Sequence, residues 1–260
     1  MEIQEHYVLN LKRRPERLYT WLGCQWHAGF DFSKLTVFQA FDASEYPHIG
    51  AMLLNVKDIF LQNGLDYRKG FMNRLSSVEG KGLVGNMISK LLMLIEIEKH
   101  PSDAYFMLWE DDIVLNRERT YQELISTEVP SDAEMIAFHT REKEKEKLHG
   151  LPKHPTLPFW KGTHGIKANQ ALMLTKRGAK TILDIYRQDT PLLELEFFID
   201  RYRDLPGLWT SDKNFADIVY IVGIESDIHP HERNENNTYI EFKEQSMEDI
   251  YGNQRTLDQS

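Results

Sequence analysis

Residues 105 to 112, Tyr-Phe-Met-Leu-Trp-Glu-Asp-Asp, constrain the fold of this chain more than any other stretch. Five apolar residues, Tyr105 to Trp109, run without a break into three acids, Glu110, Asp111 and Asp112. The run is too short for a helix and predicts a strand buried on both faces, as in the centre of a parallel sheet. Three adjacent carboxylates repel one another, so they cost stability unless water or a cation screens them. In open α/β sheets, ligands bind just beyond the carboxyl ends of such strands. Oxygen-only ligands suit hard cations such as Mg²⁺ or Mn²⁺. The stretch reads as a metal and phosphate site, or else as a charged turn at a strand end.

With 260 residues, 41% of them hydrophobic, the chain is long enough for one large domain with a substantial core. The expected division is a single domain over 1–231 followed by a polar, partly disordered tail over 232–260. A net charge of −9 argues against non-specific binding to nucleic acid or acidic membrane, although a local basic site is still allowed. Cys24 is the only cysteine, so neither an intramolecular disulfide nor a Cys-rich zinc site can form. The first residues lack the order of a signal peptide, and no apolar cluster approaches the ~18 residues of a spanning helix. The expectation is a soluble, cytoplasmic protein.

In chain order, Tyr7 to Leu11 predicts a first strand, and Pro15 suits the first turn of a helix running to about Gly29. Lys12, Arg13, Arg14 and Arg17 gather at that helix's N-terminus, where the dipole disfavours cations. A bound anion would relieve the conflict; a solvated basic patch is the plainer account. Leu35 to Ala40 predicts a second strand, and Asp42 behind it is placed for a ribose or base edge, or simply for a turn. Residues 45 to 78 show no clear order. Gly80 to Gly85 matches G-x-G-x-x-G, but Asn73 to Glu79 is not a buried strand, so the glycines read as a helix entry rather than a dinucleotide site. Val84, Met87, Ile88, Leu91, Leu92 and Ile95 give that helix one apolar face.

Further on, Ile113 to Leu115 and Met135 to Phe138 are strand candidates. Arg141 to Lys147 reads as a solvated segment, and Leu148 to Trp160, with three prolines, as an irregular loop. His139, His149, His154 and His164 fit no compact zinc site and read as surface residues. Gln170 to Thr175 predicts a buried strand whose Thr175 caps a helix with Ala179, Ile182, Leu183 and Tyr186 inside. Leu192 to Tyr202 reads as helical, with Glu194, Glu196 and Asp200 exposed. Ile218 to Val222 is the last clear strand. It leads toward His229 and His231, which are metal ligands or surface residues.

Several of these stretches together resemble glycosyltransferase family 25, the family of lipopolysaccharide and collagen galactosyltransferases. Leu9-Asn10-Leu11 with Arg14 and Arg17 is similar to its opening strand and arginine pair, and Phe41-Asp42-Ala43 to its next landmark. Gly82-Leu83-Val84-Gly85-Asn86-Met87-Ile88-Ser89-Lys90 resembles its Gly-x-x-Gly-Cys-x-x-Ser-His helix. Trp109 to Asp112 resembles its Leu-Glu-Asp-Asp element, and Ala171 to Lys180 its strand-to-helix signature. Phe198-Ile199-Asp200 and Ser226-Asp227-Ile228 resemble its later landmarks. The order over residues 7 to 228 is the specific part. Asn86 stands where the family has Cys and Lys90 where it has His, which puts the substrate or the activity in question.

The resemblance implies a GT-A type fold of the α/β class, a mixed and mostly parallel sheet flanked by helices that binds a nucleoside-diphosphate sugar, most plausibly a UDP-sugar. It implies inverting transfer to a hydroxyl acceptor: a glycan, a protein side chain or another hydroxyl compound, with a nucleic acid acceptor not favoured. Mn²⁺ or Mg²⁺ would be held by Asp112 with Asp111 or Glu110, and by His229 or His231. In a regular strand Glu110 and Asp112 point one way and Asp111 the other, so all three meet only across a turn. Arg14 and Arg17 would pair with phosphate oxygens. Asn10 and Asp42 would hold the nucleoside, with Ser89 and Lys90 also lining the donor site. Asp200 is the candidate base, with Glu196 and Glu194 behind it. A metal-dependent hydrolase or phosphoesterase, or a non-catalytic nucleotide-sugar-binding module, remains open.

Overall fold

The computed structural model describes residues 1–66, 78–138, 149–162, 171–188, 205–213, 215–221 and 238–240. The acid-tipped run forms β3 (Tyr105–Glu110), whose four inner residues are buried. It lies parallel to β1 (Ile3–Asn10), with Val8 opposite Trp109 and Leu9 opposite Glu110. On the far side of β1 lies β2 (Leu35–Gln39), also parallel. The other neighbour of β3 is β7 (Ala171–Thr175), and that pairing is antiparallel. β3 is therefore central, as its unbroken apolar run predicts, but parallel on one side only.

The full sheet has the order β2-β1-β3-β7-β5-β8-β6, with β5 (Met135–Ala137), β6 (Phe159–Lys161) and β8 (Leu208–Ser211) completing it. Five of the seven strands point the same way, since only β7 and β6 run antiparallel to their neighbours. The expected α/β class with a mixed, mostly parallel sheet is thus the observed one.

Helices cover both faces because β1 and β3 are apolar on both. On one face Tyr7, Leu9, Phe106 and Leu108 pack into a core with α2 (Ile49–Gln62), α3 (Val78–Lys99) and α5 (Lys176–Arg187). On the other face α1 (Pro15–His27) sets Trp21 edge-on to Trp109, at 6.1 Å between ring centroids. The Trp21 indole N–H donates to the carbonyl of Ile113, in the short β4 (Ile113–Leu115), at 2.6 Å. His6 is sealed between the two layers. Its Nδ1 accepts from the Trp109 indole at 3.2 Å, which leaves the proton on Nε2 to donate to the Tyr121 hydroxyl at 3.0 Å. Burial, with Lys34 nearby, pushes the His6 pKa down to about 3.

Local signals account for the rest. Pro15 opens α1, with Arg14 at its cap position. The Thr175 hydroxyl accepts from the Gly178 N–H at 3.1 Å and starts α5, whose inner face is the predicted one. Gly85 lets α3 lie against the loop after β2, because a Cβ there would meet the Phe41 carbonyl oxygen at 2.9 Å. Several elements escape the sequence reading, β8 among them. α2 falls in the stretch without clear order, because exposed Leu54, Ile59 and Leu61 blur its apolar stripe. α4 (Tyr121–Ser126) is a single capped turn, closed by Thr120 and Glu123. Within the proline-rich stretch expected to be wholly irregular, β6 forms an edge strand, where three residues suffice and the prolines fall outside the pairing.

The chain divides into two compact units, Met1–Asp217 and Ile218–Ser260. In the second, β10 (Thr238–Ile240) pairs in parallel with β9 (Ala216–Ile221), Thr238 opposite Val219. The helix expected over 192–202 and the solvated segment over 141–147 lie outside the described residues. So do His139 and His164. Among the described residues no helix is long and apolar enough to cross a membrane.

Candidate functional site

From β1 the chain crosses to β2 on one side, then returns to lay β3 on the other. The direction of winding reverses between β1 and β3, and such a reversal opens a crevice at the carboxyl ends of the strands. Asn10, the last residue of β1, and Asp111, just past β3, close over that crevice: the Asn10 amide donates to Asp111 Oδ2 at 2.7 Å. The same Asn10 nitrogen donates to the carbonyl of Arg14 at 3.1 Å, tying the start of α1 to the strand.

Arg17, in the first turn of α1, supplies the counter-charge. Its Nη2 lies 2.8 Å from Asp111 Oδ1 and 2.8 Å from Asp112 Oδ2. Glu110 faces the opposite layer and meets Lys90 of α3 at 2.6 Å. Strand alternation separates Glu110 from Asp111, and the turn at 111 and 112 then brings the second aspartate back to the first one's side. The three acids thus split into a pair on Arg17 and a single one on Lys90.

The flanking groups are held by the same logic. Arg13 Nε reaches Asp42 Oδ2 at 2.7 Å, so the loops after β1 and β2 are joined. Asp42 also accepts from the Ser44 N–H at 2.9 Å and hydroxyl at 2.6 Å. Partial burial opposes its charge, but Ser44 and Arg13 outweigh that and hold it below the usual carboxylate range. Ser89 accepts from the Phe41 N–H at 2.8 Å and donates to the Gly85 carbonyl at 2.7 Å, which fixes α3 against the Asp42 loop. Arg14 Nε is on Glu16 at 2.5 Å. Asn10, Arg14, Arg17, Asp42, Ser89, Lys90, Glu110, Asp111 and Asp112 are therefore gathered around one end of the parallel strands. Asp200, Glu196, Glu194, His229 and His231 lie outside the described residues.

Electrostatics marks the aspartates as the unusual groups. Burial, reinforced by Asp112 and Glu110, pushes Asp111 up to about 7 against the pull of Arg17 and Asn10. Asp112 is raised by burial too. For Arg17 burial works against the charge, but Asp112, Asp111 and Glu110 outweigh it and hold the guanidinium above its usual value. Among the described residues two buried acceptors have no donor: Oδ1 of Asp112 and Oδ1 of Asn86. Neither was visible in the sequence, where Asn86 stood out only as a departure from a family pattern. Arg13, one member of a basic cluster there, emerges as the partner of Asp42.

Among the described residues no group of three His, Cys, Asp or Glu side chains could hold a metal ion. A Mg²⁺- or Mn²⁺-sized cation needs less, because it binds through one or two carboxylates and completes its shell with phosphates and water. Asp111 and Asp112 with the orphan oxygen fit that smaller requirement, provided that Arg17 yields its place.

No family model and no curated protein matches the chain. Among solved structures, a glycosyltransferase involved in glycosylation of the major capsid of PBCV-1 is similar at 8% identity and TM-score 0.41, over 81% of this chain and 82% of that one. Mouse xyloside xylosyltransferase 1, in its apo form, is similar at 11% identity and TM-score 0.39, over 80% and 84%. The galactosyltransferase LgtC, in complex with donor and acceptor sugar analogues, is similar at 10% identity and TM-score 0.39, over 79% and 72%. Overlaps this loose carry no argument about activity.

Proposed function

We propose that the chain is a glycosyltransferase that moves a sugar from a nucleoside-diphosphate sugar, a UDP-sugar, to a hydroxyl acceptor with inversion. The observation that carries this reading is the Asn10–Asp111–Arg17–Asp112 network at the point where the strand order reverses. A crevice there takes a nucleotide, and the arginines at the start of α1 offer planar forks to its phosphates. Asn10 and Asp42 would hold the nucleoside. Mn²⁺ or Mg²⁺, bound through Asp112 and Asp111, would neutralise charge on the departing diphosphate.

In the reaction the acceptor oxygen bonds to the anomeric carbon, the bond from that carbon to the diphosphate oxygen breaks, and the nucleoside diphosphate leaves. The acceptor proton passes to a carboxylate, for which Asp200 is the assignment, with Glu196 and Glu194 as substitutes. Arg17 and Arg14 hold the diphosphate. Glycans, protein side chains and other hydroxyl compounds are the acceptor classes to screen. UDP with Mn²⁺ is expected to raise the melting temperature, and Asp112→Ala to abolish the rise; no rise at millimolar ligand would refute the reading. Asn86 and Lys90 favour one other reading, a non-catalytic nucleotide-sugar-binding module. Binding without donor hydrolysis or transfer would select it.

A further inference from the structure

We propose that Arg17 makes divalent-cation binding conditional on a diphosphate: its guanidinium holds the place between Asp111 and Asp112 until a diphosphate draws it away. This rests on the donor-site reading above and adds an order of events to it. A single nitrogen of Arg17 bridges the two carboxylates, at 2.8 Å from each. A metal ion that uses those oxygens competes directly with it. Displacing Arg17 with nothing else to bind leaves a cation that is three-quarters buried, with its side chain 26% exposed, without a partner. An unpaired charge in such a place is strongly unfavourable. A diphosphate removes that penalty because the arginine fork matches phosphate oxygens as well as carboxylate ones.

Two further observations point the same way. Asp112 keeps one oxygen on Arg17 while the other, sealed from solvent, has no hydrogen-bond donor among the described residues. The local charge also discriminates. With all three acids ionised, as metal binding requires, Glu110, Asp111 and Asp112 against Lys90 and Arg17 leave one negative charge. A divalent ion alone reverses that sign, whereas the ion with the doubly charged diphosphate of a nucleotide sugar restores it. Metal and diphosphate therefore enter as a pair, and by linkage each strengthens the other to the same degree.

The test measures protein-bound Mn²⁺ by equilibrium dialysis, alone and with saturating pyrophosphate or UDP on both sides of the membrane, and refers it to the free-ion concentration because both anions chelate Mn²⁺ themselves. In the wild-type chain either anion is expected to tighten Mn²⁺ by about tenfold or more. Arg17→Met is expected to bind Mn²⁺ alone about tenfold tighter than wild type and to lose most of the coupling. Arg13→Met removes an equal charge that sits on Asp42 and is expected to stay within about twofold of wild type for Mn²⁺ alone. If Arg17→Met does not fold, Arg17→Lys keeps the charge without the fork and is expected to weaken the coupling by about threefold or more. Equal Mn²⁺ affinity with and without pyrophosphate in the wild type overturns the proposal. So does an Arg13→Met effect as large as that of Arg17→Met. Coupling to pyrophosphate but not to UDP upholds Arg17's role and refutes the donor reading instead.

Discussion

His6 and Asp111 titrate in opposite senses, and both senses follow from burial. The folded value of His6, about 3, lies below its ordinary 6.5, so between those values the unfolded chain binds a proton that the fold refuses. Its contribution is complete above about pH 6.5 and is lost as pH falls toward 3, at up to about 1.4 kcal/mol per pH unit. Urea midpoints of wild type and His6→Phe between pH 7 and 4 should converge as the pH drops; a parallel decline would show that His6 is not the group responsible. Asp111, raised to about 7, binds its proton in the folded chain first. It works against stability as pH climbs from about 4 through 7, and Asp111→Asn should flatten that slope. The residue types of this site were legible in the sequence: the acids, the arginines and Asn10. Their pairing was less so. Strand alternation foretold that Glu110 and Asp111 face apart, but the turn that gives both aspartates to Arg17 is a backbone event without a mark in the side-chain pattern.

Among elements, α3 is the one whose position matters most to the site, because it carries both Ser89 and Lys90. Its approach depends on Gly85. Gly85→Ala puts a methyl 2.9 Å from the Phe41 carbonyl oxygen and 3.2 Å from the Ala43 side chain, so helix and loop must part. The expected cost is about 1–3 kcal/mol, read by denaturant unfolding; under the proposed donor site UDP binding should weaken too as the Asp42 loop shifts. An unchanged midpoint would mean that the loop yields freely. Thr120→Ala, which opens the α4 capping box, should cost about 1 kcal/mol. Elements with a strong period or a cap beside an apolar run, such as β3, α3 and α5, could be read from the chain. α2 could not, because its outward leucines contradict a clean stripe, and β6 and β8 are too short for periodicity to register.

At the level of the whole molecule, Arg187 ties distant segments together. It forms a two-pronged pair with Glu98 of α3 at 2.8 and 2.5 Å and donates to the Asn63 carbonyl beyond α2 at 2.9 Å. Arg187→Lys loses the fork and should cost about 1–3 kcal/mol, nearly as much as Arg187→Ala. Full rescue by lysine would reduce the link to simple charge. The mixed sheet was foreseeable as a class, but its order was not, since pairing between β7 and β5 or β8 and β6 depends on contacts far apart in sequence. That order divides the labour of the chain. Every described group at the crevice comes from the first 112 residues, through β1, α1, β2, α3 and β3. The later strands extend the sheet away from it. Mutations in the described later strands can therefore accumulate without disturbing the knot of arginines and carboxylates.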